Sequence, residues 1–330
     1  MSMVTSRTPL RVSFFGGGTD YPEYFRQYPG AVLGTAINKY IFISAVRLER
    51  FMGYSYRLAY RQIEEVQEIS QIEHPVFRAA FDYLKFEKGW NISVLSSLPS
   101  RSGLGSSSSF TVGLLKLIGH LKGTNYTRHD LASLAIHLER DILNENVGIQ
   151  DQIHAAYGSL NRYDFNGTDF TINPVRLHSE LRDELNSSMF LVHTGIQRYA
   201  SEVVAEQIKN TKENVITKQL DHLYAMTKDA HGLLERGGDG ALKELGAMLD
   251  EAWRTKRSLS SSVSSVDIDA IYDAAIRHGA YGGKLCGAGG GGFFLLIVPQ
   301  WAQEAVQSNL GGRNLIPIQM DDSGSTIQLI

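Results

Sequence analysis

Three glycine-rich stretches and two acidic side chains carry the residue types from which a catalytic site can be built. The first stretch is "LPSRSGLGSSSSF", Leu98–Phe110, in which a Gly-Leu-Gly turn runs into four serines. A Gly-rich turn that opens a helix is an anion site. The first N–H groups lack intrahelical partners, the dipole end is positive, and glycine lets the backbone approach a phosphate. Hydroxyls in the first turn add donors or a ligand for Mg²⁺. Taken by itself, the stretch fits a serine-capped structural loop equally well. It is not a Walker A loop, because G-x-x-x-x-G-K-[ST] is absent and no lysine follows Gly105.

The second stretch, "GGGTD" (Gly16–Asp20), suits a backbone lying close to a ligand, with Thr19 and Asp20 offering polar groups to hydroxyls. A tight turn ending in an Asx cap is the plainer account. The third, "CGAGGGGF" (Cys286–Phe293), contains G-x-G-x-x-G but precedes its strand, whereas the dinucleotide fingerprint follows one, so NAD is rejected. Between them lies "ERDILNENVGIQDQIHAAYGSLN", with Glu139 at the edge of an apolar helix face and Asp151 after a Gly-Ile-Gln turn. Each acid alone reads more readily as a cap or an arginine partner than as a catalyst. Cys286, the single cysteine, has no low-pKa setting and reads as a packing residue. The ten histidines show no metal-binding spacing.

These residues need elements to hold them. "RVSFF" and "KYIFISAVRL" (about 39–48) predict strands, and "NISVLSSL" a third. Phe110, Leu114, Leu117, Ile118 and Leu121 recur at helical spacing, so a helix starts within the serine run. A second starts at Thr127, where "TRHD" is a capping signature, and carries Leu131, Leu134, Ala135, Leu138 and Ile142 on one face. The pattern changes between 176 and 190, which divides the chain into domains 1–185 and 186–330. The second part holds helices near 200, 217–236 and 240–258, then "DIDAIYDAAIRHGA", a Gly turn and a buried strand. A short helix in "WAQEAVQSNL" and strands near 315 and 327 close the chain. Strands and helices mix without strict alternation, so the fold class is α+β.

Bulk properties narrow the function. The chain has 330 residues, 43% hydrophobic and 20% charged, enough for a sizeable core. A net charge of −3 offers no global basic field to nucleic acid or anionic lipid. One cysteine permits no intrachain disulfide and fits a reducing compartment. The start has no signal-peptide core, and the longest apolar run, "FFLLIV", is too short to span a bilayer. A cytoplasmic protein with no nucleic-acid or membrane partner is the expectation.

Taken in order, "PLRVSFFGGGTDYPEYF", "LPSRSGLGSSSSF" and "KLCGAGGGGFF" resemble the three motifs of the galactokinase, homoserine kinase, mevalonate kinase and phosphomevalonate kinase (GHMP) superfamily, over almost the whole chain. "GGGTDYPEYF", "GIQDQIHAAYGSLN" and "GGKLCGAGGGGF" look most like its D-glycero-D-manno-heptose 7-phosphate kinases and the related fucokinase-type enzymes. The resemblance implies a ribosomal protein S5 domain 2-like N-terminal domain and a ferredoxin-like C-terminal domain. It implies ATP and Mg²⁺, with the nucleotide over the middle loop and a small-molecule sugar phosphate between the domains. Gly103, Leu104, Gly105, Ser106, Ser107 and Ser108 would wrap the triphosphate. Ser107 and Glu139 match the Mg²⁺ ligands, Asp151 the aspartate facing the accepting hydroxyl, and Arg11 a group near the reacting phosphate. Asp20, nine residues after Arg11, matches a sugar-binding aspartate, with Gly17, Gly18 and Thr19 beside it. Gly287, Gly289 and Gly290 would support the nucleotide loop and shape the site. Ser108 stands where alanine is common, and Glu139 and Asp151 are twelve apart where eleven also occurs.

The implied reaction is phosphorylation of O1 of the heptose 7-phosphate to the 1,7-bisphosphate. A fucokinase- or galactokinase-like activity is one rival; a catalytically dead sugar-binding regulator on the same scaffold is another. A phosphorylated acceptor needs a second cationic site, for which Lys39, Arg198, Arg254, Lys256 and Arg257 are the candidates. An arginine fork is the better clamp, although "WRTKR" equally fits a solvated helix end.

Overall fold

The first two strands extend well beyond their apolar cores. In the computed structural model, β1 is Val4–Phe15 and β2 is Gly30–Arg47. Residues 3–49, 51–100, 102–167, 169–196 and 200–329 are described. β1 holds polar residues inside: Thr8 Oγ1 meets Ser325 Oγ at 2.8 Å, so burial is tolerated. The β1–β2 ladder shifts register at Pro9/Leu10 and again at Ser13/Phe15. Proline has no N–H to give a ladder, which accounts for the first shift.

Among the described residues ten further strands follow: β3 (Tyr56–Ala59), β4 (Ile63–Val66), β5 (Trp90–Ser96), β6 (Leu160–Asn166), β7 (Asp169–Pro174), β8 (Met189–His193), β9 (Gly282–Leu285), β10 (Phe293–Ile297), β11 (Ile316–Pro317) and β12 (Thr326–Leu329). One sheet runs β12-β1-β2-β5-β3-β4, with β6 on the first half of β2 and β7 on β6. The second runs β11-β8-β10-β9, antiparallel throughout. The expected division at 185/186 falls inside the Ser179–Ser188 helix, the second sheet begins at Met189, and β12 returns to the first sheet beside β1. The architecture is the two-domain α+β arrangement expected.

The Ser106–Leu121 helix starts where the serines begin and lies buried across β1 and β2, with the Cβ position of Gly113 only 2.7 Å from Thr8 Oγ1. Thr127 caps the Arg128–His137 helix through a reciprocal pair with Asp130. The helix then widens into a π turn, Leu138–Ile142, with Leu143 N–H bonded to Leu138 O. A second apolar cluster, around Trp253, Tyr272 and Phe294, backs the second sheet. Among the described residues, no helix is long and apolar enough to cross a membrane.

Candidate active site

The centre of the site is an ion pair between the first strand and a short helix. Arg11 on β1 is 5% exposed, and Asp151 stands in the first turn of the Gln150–Tyr157 helix. Arg11 Nε donates to Asp151 Oδ1 at 2.8 Å and Nη2 to Oδ2 at 2.9 Å. Nη1 donates to Gly103 O at 2.6 Å, and the Arg11 backbone N–H to Leu104 O at 3.1 Å. One arginine therefore reads both the glycine loop and the aspartate. The Asp151 side chain keeps 26% exposure, so the pair opens to one side. Gly105 packs on it: a Cβ there would lie 3.2 Å from Arg11 Cγ and 3.4 Å from Asp151 Cγ.

The loop turns on Gly103 and Gly105, at φ +78° and +74°, a region that L side chains avoid. Leu104 buries its side chain and lends the loop only backbone. The N–H groups of Ser106, Ser107 and Ser108 head the helix and have no intrahelical acceptor. Successive serines point apart. Ser107 is exposed, Ser108 Oγ donates to Glu139 Oε2 at 2.8 Å, and Ser109 Oγ donates to Pro9 O at 2.8 Å. The serine that touches Glu139 is thus Ser108, while Ser107 faces outward from the same turn.

Glu139 lies in the π turn, 1% exposed. Gln152 Nε2 also donates to its Oε2, and Oε1 is buried without a partner. Burial pushes its carboxyl up to about 7, against the opposing hydrogen bonds of Thr111, Ser108 and Gln152. Among the described residues, no three His, Cys, Asp or Glu side chains cluster to hold a metal. A lone carboxylate with a free oxygen, beside a hydroxyl-rich helix start, fits Mg²⁺, which keeps few protein ligands and shares phosphate oxygens.

Asp20 is buried beside this pair. It accepts from Gly18 N–H at 3.0 Å, and its backbone carbonyl takes the N–H of Ile149. A Cβ on Gly148 would sit 1.9 Å from Asp20 Oδ2, so only glycine fits there. Burial, and then the Asp151 charge, raise the Asp20 carboxyl. Gly17 faces Ser13 Oγ and Gln150 Nε2, each 3.9 Å from its Cβ position. Ser13 Oγ and Gln150 Oε1 are buried without partners, and Gly18 faces Gln207. Ser13, Gln150 and Gln207 went unmarked in the sequence; the only signals were a polar residue inside "RVSFF" and the amide before Asp151.

One expectation needs correction. Thr19 does not offer its hydroxyl to a sugar: it is fully buried, faces Gly16 O and Ala31 O at 2.8 Å each, and accepts from Ala31 N–H. Gly289 and Gly290 stand in the glycine turn as expected, packed on the Val263 segment, with Gly290 N–H bonded to Val263 O at 2.8 Å. Gly287 does back the loop: its Cβ position is 2.6 Å from Gly103 Cα, and that of Gly103 is 2.5 Å from Cys286 O. Cys286 is buried, which raises its thiol, in keeping with packing.

Of the expected phosphate-site cations, Arg254 and Arg257 lie on the surface, paired with Asp250 and Asp269 at 2.7 Å. Lys39 is half-buried on β2, and Arg198 lies outside the described residues. Lys256 turns inward, joined by Lys284, a lysine in "GGKLC" that sequence reasoning passed over.

Comparison with known proteins identifies the family. Residues 70–159 match the GHMP kinases N terminal domain, and 230–315 the GHMP kinases C terminal domain. The chain is 30% identical to the D-glycero-alpha-D-manno-heptose 7-phosphate kinase of Campylobacter jejuni, covering 90% of each protein. It is 26% identical to the galactokinase of Thermotoga maritima, covering 92% of each. A solved D-glycero-D-manno-heptose 1-phosphate kinase from Bacteroides thetaiotaomicron superposes with a TM-score of 0.80 over 99% of both chains at 24% identity, a likeness of fold. With a glycine loop, a buried carboxylate beside it and an arginine-held aspartate in that order along the sequence, the chain belongs to the GHMP kinase family, as an ATP-dependent sugar kinase.

Proposed function

We propose that this enzyme transfers the γ-phosphoryl group of ATP to O1 of D-glycero-D-manno-heptose 7-phosphate, giving the 1,7-bisphosphate and ADP. The observation that carries the reading is the Arg11 fork, which ties Asp151 to Gly103 O and so fixes the acceptor side against the nucleotide loop. The heptose specificity draws its support from the 30% identical relative.

In the proposed reaction, the acceptor O–H approaches Asp151, its oxygen forms the new P–O bond, and the bond to the β-phosphate oxygen breaks with its electron pair leaving on ADP. The proton passes to Asp151. Phosphoryl transfer has a loose transition state, so positioning and positive potential matter more than a strong base. A carboxylate gripped by a guanidinium still has lone pairs to orient a hydroxyl and take a proton late. An anomeric hydroxyl is more acidic than an ordinary alcohol, which eases that step. Glu139 and Ser107 would hold Mg²⁺, with Ser108 and Gln152 fixing the other Glu139 oxygen. Bound there, the ion would neutralise charge on the phosphate oxygens. Asp20, Ser13 and Gln150 would receive sugar hydroxyls.

An ADP-release assay over heptose 7-phosphate, free heptose, L-fucose and galactose tests the reading. Fastest turnover of the 7-phosphate supports it. Equal or better turnover of a free sugar replaces it with a fucokinase- or galactokinase-like activity, and no turnover at all favours the regulator.

A further inference from the structure

Two ammonium groups are buried where the two domains meet. Lys256 is in the last turn of the Ala241–Arg257 helix, 8% exposed, and its Nζ donates to Leu285 O at 3.0 Å and to Gly287 O. Lys284, on β9, is 5% exposed and donates to Phe14 O at 3.2 Å, two residues before the first glycine turn. The pair thus stands at the roots of both glycine turns. Among the described residues, Lys256 uses two of its three donors and Lys284 one, all on neutral carbonyls. Among the described residues, neither has a carboxylate within 4.0 Å, although Arg254 and Arg257, beside Lys256 in the chain, each have one.

Buried cations are ordinarily paired, because an uncompensated charge away from water is strongly unfavourable. Nearby protein charge does not meet the need: Asp151 is taken by Arg11, and Asp20 is driven toward its neutral form. Burial, with Lys284 acting on Lys256, lowers the two ammonium groups to about 7 and about 8. Lys256 reaches Gly287 O, Gly287 packs on Gly103 with its Cβ position 2.6 Å from Gly103 Cα, and Gly103 O takes Arg11 Nη1, so a short chain of contacts joins this lysine to the Arg11–Asp151 pair. Burial thus disfavours the charge on both amines, and an anion seated beside them would restore it.

We propose that Lys256 and Lys284 bind a phosphoryl group brought by a substrate. It is either the acceptor's own phosphate or the group in transfer. The inference rests on the kinase reading and deepens it, because each substrate of that reaction carries such a group.

The test titrates inorganic phosphate into the full chain saturated with Mg²⁺ and ADP, by calorimetry, for wild type, Lys256→Met, Lys284→Met and Lys284→Arg, with thermal unfolding in parallel. Expected is binding by wild type, weakened tenfold or more in both Met variants and held within about threefold in the Arg variant. To make the test independent of whether the Met variants fold, ¹⁵Nζ resonances are followed in wild-type protein as phosphate is added, assigned through Lys→Arg variants. Shifts at both lysines support the pair. Unmoved resonances, or Met variants that bind phosphate as wild type does, overturn it.

Kinetics separate the two sources. A KM raised in Lys284→Met for heptose 7-phosphate but not for free heptose assigns the acceptor's phosphate. A fall in kcat for both, at constant KM, assigns the group in transfer; no change in either overturns the proposal. If wild type turns over no heptose 7-phosphate, the substrate reading falls, while phosphate binding still decides this one.

Discussion

Arg11 holds Asp151 by both carboxylate oxygens, at 2.8 and 2.9 Å, while the third nitrogen of the same guanidinium reaches Gly103 O at 2.6 Å. A loop about 90 residues away from Arg11 in sequence, and a helix 140 residues away, are fixed to one planar group. Arginine can do this because its donors form a rigid fork; lysine, a single point charge, cannot. Arg11→Lys is therefore expected to keep the fold and lower kcat/KM by at least about tenfold, a loss of roughly 1.4 kcal/mol in transition-state stabilisation. Steady-state kinetics with circular dichroism check this; an unchanged kcat/KM removes the fork from the account.

Asp151→Asn keeps the shape of the acceptor residue and removes its basicity. The expected outcome is intact nucleotide binding with turnover lower by about a hundredfold or more, since a positioned proton acceptor contributes roughly 10²–10⁴. Calorimetry with ADP and single-turnover kinetics measure the two separately. Near wild-type turnover rules Asp151 out as the proton acceptor.

Glu139→Gln and Ser107→Ala remove one proposed Mg²⁺ ligand each. Titrating Mg²⁺ at fixed ATP is expected to show a higher half-saturating concentration in both. An unchanged dependence in Ser107→Ala, with a raised one in Ser108→Ala, would transfer the ligand role to the serine that already touches Glu139.

Gly287 meets Gly103 back to back at φ +72°, with its Cβ position 2.6 Å from Gly103 Cα. Gly287→Ala is expected to cost about 1–3 kcal/mol of stability and to raise the KM for ATP, because the loop must shift. Gly232→Ala is the control. It lies within the Thr217–Arg236 helix with nothing within 4 Å of its Cβ position, and alanine there is expected to stabilise by about 0.5–1 kcal/mol.

His154 is fully buried, its Nδ1 2.8 Å from Gln150 O, and burial lowers its pKa from 6.5 to about 4. Between those values the unfolded chain binds a proton that the folded chain does not. Stability is therefore lost as pH falls from 6.5 toward 4, by up to about 3 kcal/mol from this group. Urea unfolding at several pH values measures it. His154→Gln is expected to flatten the slope over that window; an unaltered slope would assign it to other groups.

Much of this was legible because local chemistry and tertiary role coincide. Serines that follow Gly-Leu-Gly cap a helix wherever they occur, and the helix did begin at Ser106. Thr127 and Asp130 formed their reciprocal cap because both partners lie within one turn. What escaped was set by distant contacts. Strands β3 and β4 and the Pro75–Tyr83 helix have weak local patterns and are held by packing on β5 and the serine helix. Thr19 has the residue type of a sugar ligand, and only the position of Ala31 shows that its hydroxyl serves the turn. Lys284 looks incidental in "GGKLC" until β9 brings it to Phe14 O.

The most direct measurement follows one turnover mixture by phosphorus NMR, with heptose 7-phosphate and ATP as substrates and free heptose, L-fucose and galactose in parallel. The account predicts a new resonance from a phosphate on the anomeric carbon, beside the retained 7-phosphate, formed fastest from the phosphorylated acceptor. A product phosphorylated at any other oxygen, or faster anomeric phosphorylation of a free sugar, would contradict it.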